Sequence, residues 1–250
     1  MSRVALVTGA GKGIGAACAR ALSDAGHRVA LLARSQDDLD ALAQRLPGET
    51  LVVPTDVTDP AALEAAFAQV EDTWGPVEIL VVNAGAGASS PLVDTSDEEW
   101  QRMLDLNLTA PFRTIRRALP GMTGAGWGRV VVVASIAGKH GAARIAAYSA
   151  SKHGVIGLVR SGAMEVARTG VTINAVCPGY VDTPMTEGSV AAIAGRTGRS
   201  EDEARTILER QQPIGRLVTP EECASVVMLC VDNGAINGQG LNVDGGAVQS

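Results

Sequence analysis

Seven short runs of Val, Ile, Leu and Ala punctuate the chain, at 3–8, 28–33, 50–54, 78–83, 129–134, 172–177 and 240–243. Between them lie stretches rich in Ala, Leu and charge, at roughly 13–25, 35–46, 60–73, 97–118, 147–168 and 220–231. This alternation predicts a parallel sheet with helices on both faces. Aromatic residues make up only 3% of the 250 while 46% are hydrophobic, so the core has to be aliphatic, as buried parallel strands require. No Pro/Ser-rich linker divides the chain, and no repeat of about 20–50 residues recurs, so one domain over 1–250 is expected. Only 184–218 breaks the rhythm, a long polar helical insertion between the last two strands. Long connections at the C-terminal side of a sheet tend to be lids.

The first run leads directly into Thr8-Gly9-Ala10-Gly11-Lys12-Gly13-Ile14-Gly15. Gly9 permits a tight turn, Gly13 lets the backbone approach a pyrophosphate, and Gly15 lets helix pack on strand. The phosphates would then meet the free N–H groups and positive dipole end of a helix. No Gly-Lys-Ser/Thr ends the loop, so it is not a P-loop. The second run ends in Ala33-Arg34, where an NAD site offers a carboxylate to the ribose 2′-OH. A guanidinium instead pairs with a 2′-phosphate, and Lys12 offers a second positive charge, so NADP(H) is the expected cofactor. Asp37 and Asp38 follow Ser35 as a helix-capping sequence. Asp56-Val57 ends the third run, where the carboxylate either accepts from an adenine amino group or forms a turn. Asn83-Ala84-Gly85 ends the fourth with small residues that suit close approach to a cofactor.

The chain has only 2 Tyr, and one of them, Tyr148, lies one helical turn before Lys152 among Ala, Ser and Gly. Ser135 ends the fifth run, at the sheet edge where ligands bind. Ser135 and Tyr148 therefore converge on one oxygen atom, with Lys152 behind the phenol. Asn107 either reaches the same region or bends its helix. His27, His140 and His153 match no ligand pattern and read as structural or surface residues, so no metal is expected. Arg113, Arg116 and Arg117 share a helix face, as a solvated or subunit-contacting stripe. A net charge of -6 without a basic run argues against nucleic acid. No apolar stretch reaches about 18 residues and no signal peptide precedes the first strand, which argues against a membrane partner. The four cysteines (Cys18, Cys177, Cys223, Cys230) lack metal spacing and read as reduced, buried residues of a cytoplasmic protein.

Thr8 to Gly15, Asn83-Ala84-Gly85, Asn107, Ser135, Tyr148-Ser149-Ala150-Ser151-Lys152 and Pro178-Gly179, in that order, resemble the short-chain dehydrogenase/reductase family over essentially the whole chain. Val82 departs from the family pattern, in which an Asn often stands there. The resemblance implies a seven-stranded Rossmann sheet and a catalytic tetrad of Asn107, Ser135, Tyr148 and Lys152. It also implies cofactor contacts from Pro178, Gly179, Val181 and Thr183, and a homotetramer built on 97–118, 147–168 and the last strand. Tyr148 would be the acid–base group. A free phenol has pKa about 10, and lowering it by about 3 units takes roughly 4 kcal/mol, for which Lys152 together with the positive nicotinamide of the oxidised complex is the expected source. The motifs look most like β-ketoacyl and polyketide ketoreductases. The implied substrate is a ketone or secondary alcohol, with 3-oxoacyl thioesters and cyclic ketones both open. An NAD-dependent dehydrogenase working oxidatively, or an NADPH-sensing scaffold without turnover, are the alternatives. Such a scaffold would be expected to have lost the tyrosine or the lysine.

A lid is expected over 184–212, with Pro184 and Gly188 interrupting regular structure and a capping box starting a helix at Ser200. Met185, Val190 and Ile193 would form its apolar underside and face the substrate.

Overall fold

The computed structural model describes residues 2–249. Its centre is one parallel sheet of seven strands in the order β3-β2-β1-β4-β5-β6-β7. The strands are β1 (Val4–Thr8), β2 (Arg28–Ala33), β3 (Thr50–Pro54), β4 (Ile79–Val82), β5 (Gly128–Val133), β6 (Val171–Pro178) and β7 (Gly240–Val243). The chain winds outward from β1 through β2 to β3, then returns and winds the other way from β4. Between β1 and β4 the connections diverge, and such a switch point leaves a crevice at the C-terminal strand ends.

Helices α1 (Gly13–Asp24), α2 (Gln36–Ala43) and α9 (Pro220–Asp232) cover one face. Cys18, Leu22, Leu39, Leu42, Val227 and Cys230 from these helices pack on Val7, Leu31 and Val81. The other face carries α3 (Pro60–Trp74), α5 (Ala110–Ala125) and α6 (Ala146–Val166). There Phe67, Ile115, Met122 and Val159 meet Leu6, Leu80 and Val130. Both faces are therefore buried, which is why every residue of β1, β4, β5 and β6 is apolar or shielded. Local signals set the helix starts. Ser35 caps α2 through the Asp38 N–H at 3.3 Å, and Asp59 caps α3 just before Pro60.

Two expectations need correction. The stretch 97–118 is not one regular helix but α4 (Asp97–Leu104), a π-helical turn at Asp105–Thr109, and α5. The extra residue in that turn swings Asn107 inward, where its amide pairs with the Ala86 backbone in both directions. Pro184 and Gly188 do not interrupt structure either, since both lie within α7 (Pro184–Thr197). Proline fits the first helical turn, where its missing N–H has no acceptor, and an interior glycine costs only about 1 kcal/mol. Helix α8 (Glu201–Arg210) follows, capped by Ser200 and Glu203 reciprocally. Among the described residues no helix is long and apolar enough to cross a membrane. All four cysteines are buried free thiols.

Candidate active site

A cleft of about 2040 Å³ runs along the C-terminal strand ends, from Gly9, Lys12 and Arg34 past Asp56 and Gly85 to Ser135, Tyr148 and α7. It exceeds the volume of an ordinary small-molecule pocket and has room for a dinucleotide with a second ligand. At its floor the glycine loop is under tight constraint. Gly9 has φ +65 and a Cβ there would lie 2.9 Å from Ala84 Cα, while one on Gly15 would strike the Gly9 carbonyl oxygen at 2.1 Å. Gly13 has φ +55 and abuts the Thr183 methyl, so the loop and the segment after β6 touch. The N-cap residue Lys12 makes no side-chain cap, which leaves the first N–H groups of α1 open to an anion. The donor set and the cradle both fit a dinucleotide.

Asn83 acts on this loop from behind. Its amide donates to the Thr8 and Gly9 carbonyls at 3.2 and 3.0 Å, and Thr8 Oγ1 accepts from the N–H groups of Asn83 and Ala84. Ile14 and Val181 turn their side chains into a small apolar cluster with Val218 and Cys223, so any cofactor contact from them is through the backbone. Asp56 accepts from both the N–H and the hydroxyl of Thr58, at 2.9 and 2.6 Å, which holds its carboxyl below the usual range, with Arg34 adding to the effect. It forms a turn and also lines the cleft beside Val57.

Lys12 is not a free charge. Its ammonium pairs with Asp38 at 2.9 Å, and that hydrogen bond holds the Asp38 carboxyl low. Asp38, read in the sequence only as part of a cap, thus reaches the cleft wall, where its Cβ would be 3.1 Å from one on Gly11. Among the described residues Arg34 is left as the cation without an ion-pair partner at this end of the cleft.

At the other end β5 delivers Ser135 and α6 delivers Tyr148 and Lys152. Ser135 Oγ accepts from Ala137 N–H at 3.1 Å and acts on the Tyr148 phenol, whose pKa it lowers. Lys152 is buried, donates to the Val133 carbonyl at 3.0 Å, and lies 5.7 Å from the centre of the Tyr148 ring. Gly85 keeps this end open: a Cβ there would lie 2.9 Å from Asn107 Oδ1 and 3.7 Å from Lys152 Nζ. Asn107, Ser135, Tyr148 and Lys152 are therefore neighbours, drawn from three separate parts of the chain: the π-helical turn, the end of β5 and α6.

The electrostatics describe the site without cofactor. Burial raises the Tyr148 pKa, the hydrogen bond with Ser135 opposes this, and Tyr180 adds to the rise. Lys152 turns its ammonium to the Val133 carbonyl, and its own pKa falls to about 8 through burial. Without cofactor the phenol is a neutral proton donor.

Pro178 ends β6, and Gly179 serves a purpose that the sequence did not disclose. A Cβ on it would lie 2.2 Å from Gln212 Oε1. Gln212 is 1% exposed, and its amide accepts from Tyr180 N–H and donates to the Tyr180 carbonyl. Thr183 precedes α7 and donates to the Val181 carbonyl at 3.3 Å. Met185 and Ile193 line the cleft, but Val190 does not. It is 2% exposed and packs between the helices against Ala204, Leu208 and Leu217, since it lies on the face of α7 that α8 covers. His140, read as structural or surface, lines the cleft, as do Arg144 and Tyr180. Tyr180 had one sequence signal: it is the second of two tyrosines and follows Pro178-Gly179 directly.

Comparison with known proteins agrees with this geometry. The family model described as short chain dehydrogenase matches residues 3–194. The chain belongs to the short-chain dehydrogenase/reductase family. A Streptomyces virginiae protein assigned as the ketoacyl reductase of the monensin polyketide synthase is 42% identical, over 98% of this chain and 97% of its own. The 3-oxoacyl-(acyl-carrier-protein) reductase of Vibrio cholerae is 39% identical, over 98% and 96%. Among solved structures, a variant of actinorhodin polyketide ketoreductase with NADPH superimposes at TM-score 0.94, with 39% identity, covering 98% of this chain and 97% of that one. The fold and the family are those of an oxidoreductase.

Proposed function

We propose that this short-chain dehydrogenase/reductase reduces a ketone to a secondary alcohol with NADPH. The observation that carries the reading is Tyr148, kept neutral by burial and acted on by Ser135, in the same cleft that presents Arg34 further along. NADPH bound in the cleft supplies the hydride. Ser135 Oγ, which accepts from Ala137 N–H, keeps its own proton to donate to the substrate oxygen. Tyr148 gives that oxygen its proton, and a phenol with a raised pKa is in the right form to do so. Lys152, with its pKa lowered to about 8, stays largely protonated near neutral pH and returns a proton toward the phenol. Asn107, fixed by Ala86, holds the water of that relay in this reading. Gly9, Lys12, Gly13, Ile14, Gly15, Asp56, Val57, Asn83, Ala84, Gly85, Pro178, Gly179, Val181 and Thr183 form the cofactor cradle. The relatives named as ketoacyl and 3-oxoacyl reductases support this substrate class. Arg34 in the cleft weighs against oxidative NAD chemistry, and a silent scaffold gains no observation of its own.

We further infer one catalytic domain over 1–250 with a lid over 184–212, a cytoplasmic location, and a homotetramer. Phe112 on α5 and Met164 on α6 are 41% and 79% exposed, which suits helices that pair with copies of themselves. Light scattering should give about four times 25.6 kDa, and a monomer mass would remove the tetramer. The reductase reading is tested with both cofactors and one ketone. kcat/KM should be at least tenfold higher with NADPH, and Arg34→Asp should abolish or reverse the preference. Equal efficiency with NADH in the unmodified protein would contradict it.

A further inference from the structure

Four helices of this chain start on Ser or Thr with an acid three residues later: Ser35 and Asp38, Ser96 and Glu99, Ser200 and Glu203, Thr219 and Glu222. In α8 and α9 the acid bonds back to the N–H of the cap, at 2.9 and 2.8 Å, and closes the reciprocal pair. In α4 Glu99 is used elsewhere, accepting from the Ser90 hydroxyl at 2.8 Å. In α2 Ser35 Oγ accepts from Asp38 N–H at 3.3 Å, but the carboxylate pairs with the Lys12 ammonium at 2.9 Å. That hydrogen bond from Lys12, with a lesser effect from Ser35, holds the Asp38 carboxyl below its ordinary range, so it is charged at neutral pH. A partly exposed pair of this kind adds little to stability. Its consequence is electrostatic.

The pair stands within the cleft. Lys12, Arg34, Asp38 and Asp56 line one end of it, whereas the neighbouring acids Asp37 and Asp40 do not. Asp38 packs on the glycine loop itself, where a Cβ on Gly11 would lie 3.1 Å from the Asp38 Cβ. The end thus carries two charges of each sign. Asp56 is engaged by Thr58 and Lys12 is engaged by Asp38, which leaves Arg34 to meet an anion.

Resting on the NADPH reading, we propose that Asp38 sets the strength of the cofactor preference. By engaging Lys12 and placing a carboxylate at the end of the cleft that recognises the 2′-phosphate, it holds the preference for NADPH below what Lys12 and Arg34 together would give. The phosphate gains the Arg34 guanidinium but meets the Asp38 charge, and it reaches Lys12 only by competing with that charge. A 2′-hydroxyl is neutral, so NADH loses nothing to the same carboxylate.

Asp38→Asn keeps the backbone N–H that Ser35 caps and removes only the charge, so α2 should fold as in the parent. Calorimetry with two small nucleotides isolates the 2′ position from turnover. In the variant the Kd of adenosine 2′,5′-bisphosphate should fall about fivefold, while that of adenosine 5′-monophosphate should change less than about twofold. The gain should fade as salt rises from roughly 0.05 to 0.5 M, because a partly exposed charge is screened. With a ketone as substrate, the NADPH-to-NADH ratio of kcat/KM should rise by about the same factor as the bisphosphate Kd falls. A bisphosphate Kd that is unchanged or higher, or an equal gain for both nucleotides, would overturn the role of Asp38 while leaving the NADPH reading intact. An unmodified protein that binds both nucleotides equally would overturn that reading and the assignment with it.

Discussion

Lys152 is 6% exposed, and its ammonium has the Val133 carbonyl as its partner, at 3.0 Å. One carbonyl replaces a full hydration shell poorly, and burial therefore lowers the pKa from 10.5 to about 8. Because the folded pKa lies below the unfolded one, the native state resists holding this proton. Below about pH 8 both states are protonated and the full penalty is present. Between about 8 and 10.5 the native state sheds the proton while the unfolded chain keeps it, so relative stability rises with pH across that window. Lys152→Met should therefore stabilise the cofactor-free protein near neutral pH by about 2–3 kcal/mol, an advantage that shrinks toward pH 10. Urea unfolding of both proteins at the two pH values measures it. A gap that is the same at both would mean that the lysine is not strained by burial. The same group is required for turnover in the reading above, so this site trades stability for function.

Among the elements, α7 and α8 behave as one body. Val190, Ala204 and Leu208 form a core between them, and Gly198, with φ +70, ends α7 in the left-handed conformation that turns the chain toward α8. Arg205 of α8 pairs with Glu187 of α7 at 2.7 Å and with Asp182, before α7, at 2.9 Å. Joined this way, the pair should open from the cleft as a unit, and Met185 and Ile193 are the apolar residues it would lower onto a ligand. Hydrogen exchange tests the movement. Amides of α7 and of α8 should slow together when NADPH and a ketone are both added. Unchanged exchange in both helices would show that the segment is a fixed wall.

At the scale of the whole molecule, the sheet was legible because buried parallel strands leave uninterrupted aliphatic runs. β2, β3 and β7 have the bounds the runs predict, and the other strands differ by one or two residues. The π-helical turn was not legible, since 97–118 keeps helical composition through it and the pairing of Asn107 with Ala86 that accompanies it is long-range. In the site, Ser135, Tyr148 and Lys152 could be found from spacing because strand end and helix turn are local features. Gln212 and Asp38 could not, because their partners, Tyr180 and Lys12, lie 32 and 26 positions away and only folding brings them close. Val190 was misplaced for a related reason: periodicity gives an apolar face but does not say whether the cleft or a neighbouring helix covers it. The central claim is that the neutral Tyr148 phenol protonates the ketone oxygen at the end of an NADPH cleft. Its most direct test follows the near-ultraviolet absorbance of NADPH with a ketone for the unmodified protein and Tyr148→Phe, with NADPH affinity measured on both. The account predicts a kcat loss of at least about a hundredfold in the variant, the scale of general acid catalysis, with the NADPH Kd within about twofold. A variant that keeps most of its turnover would contradict it.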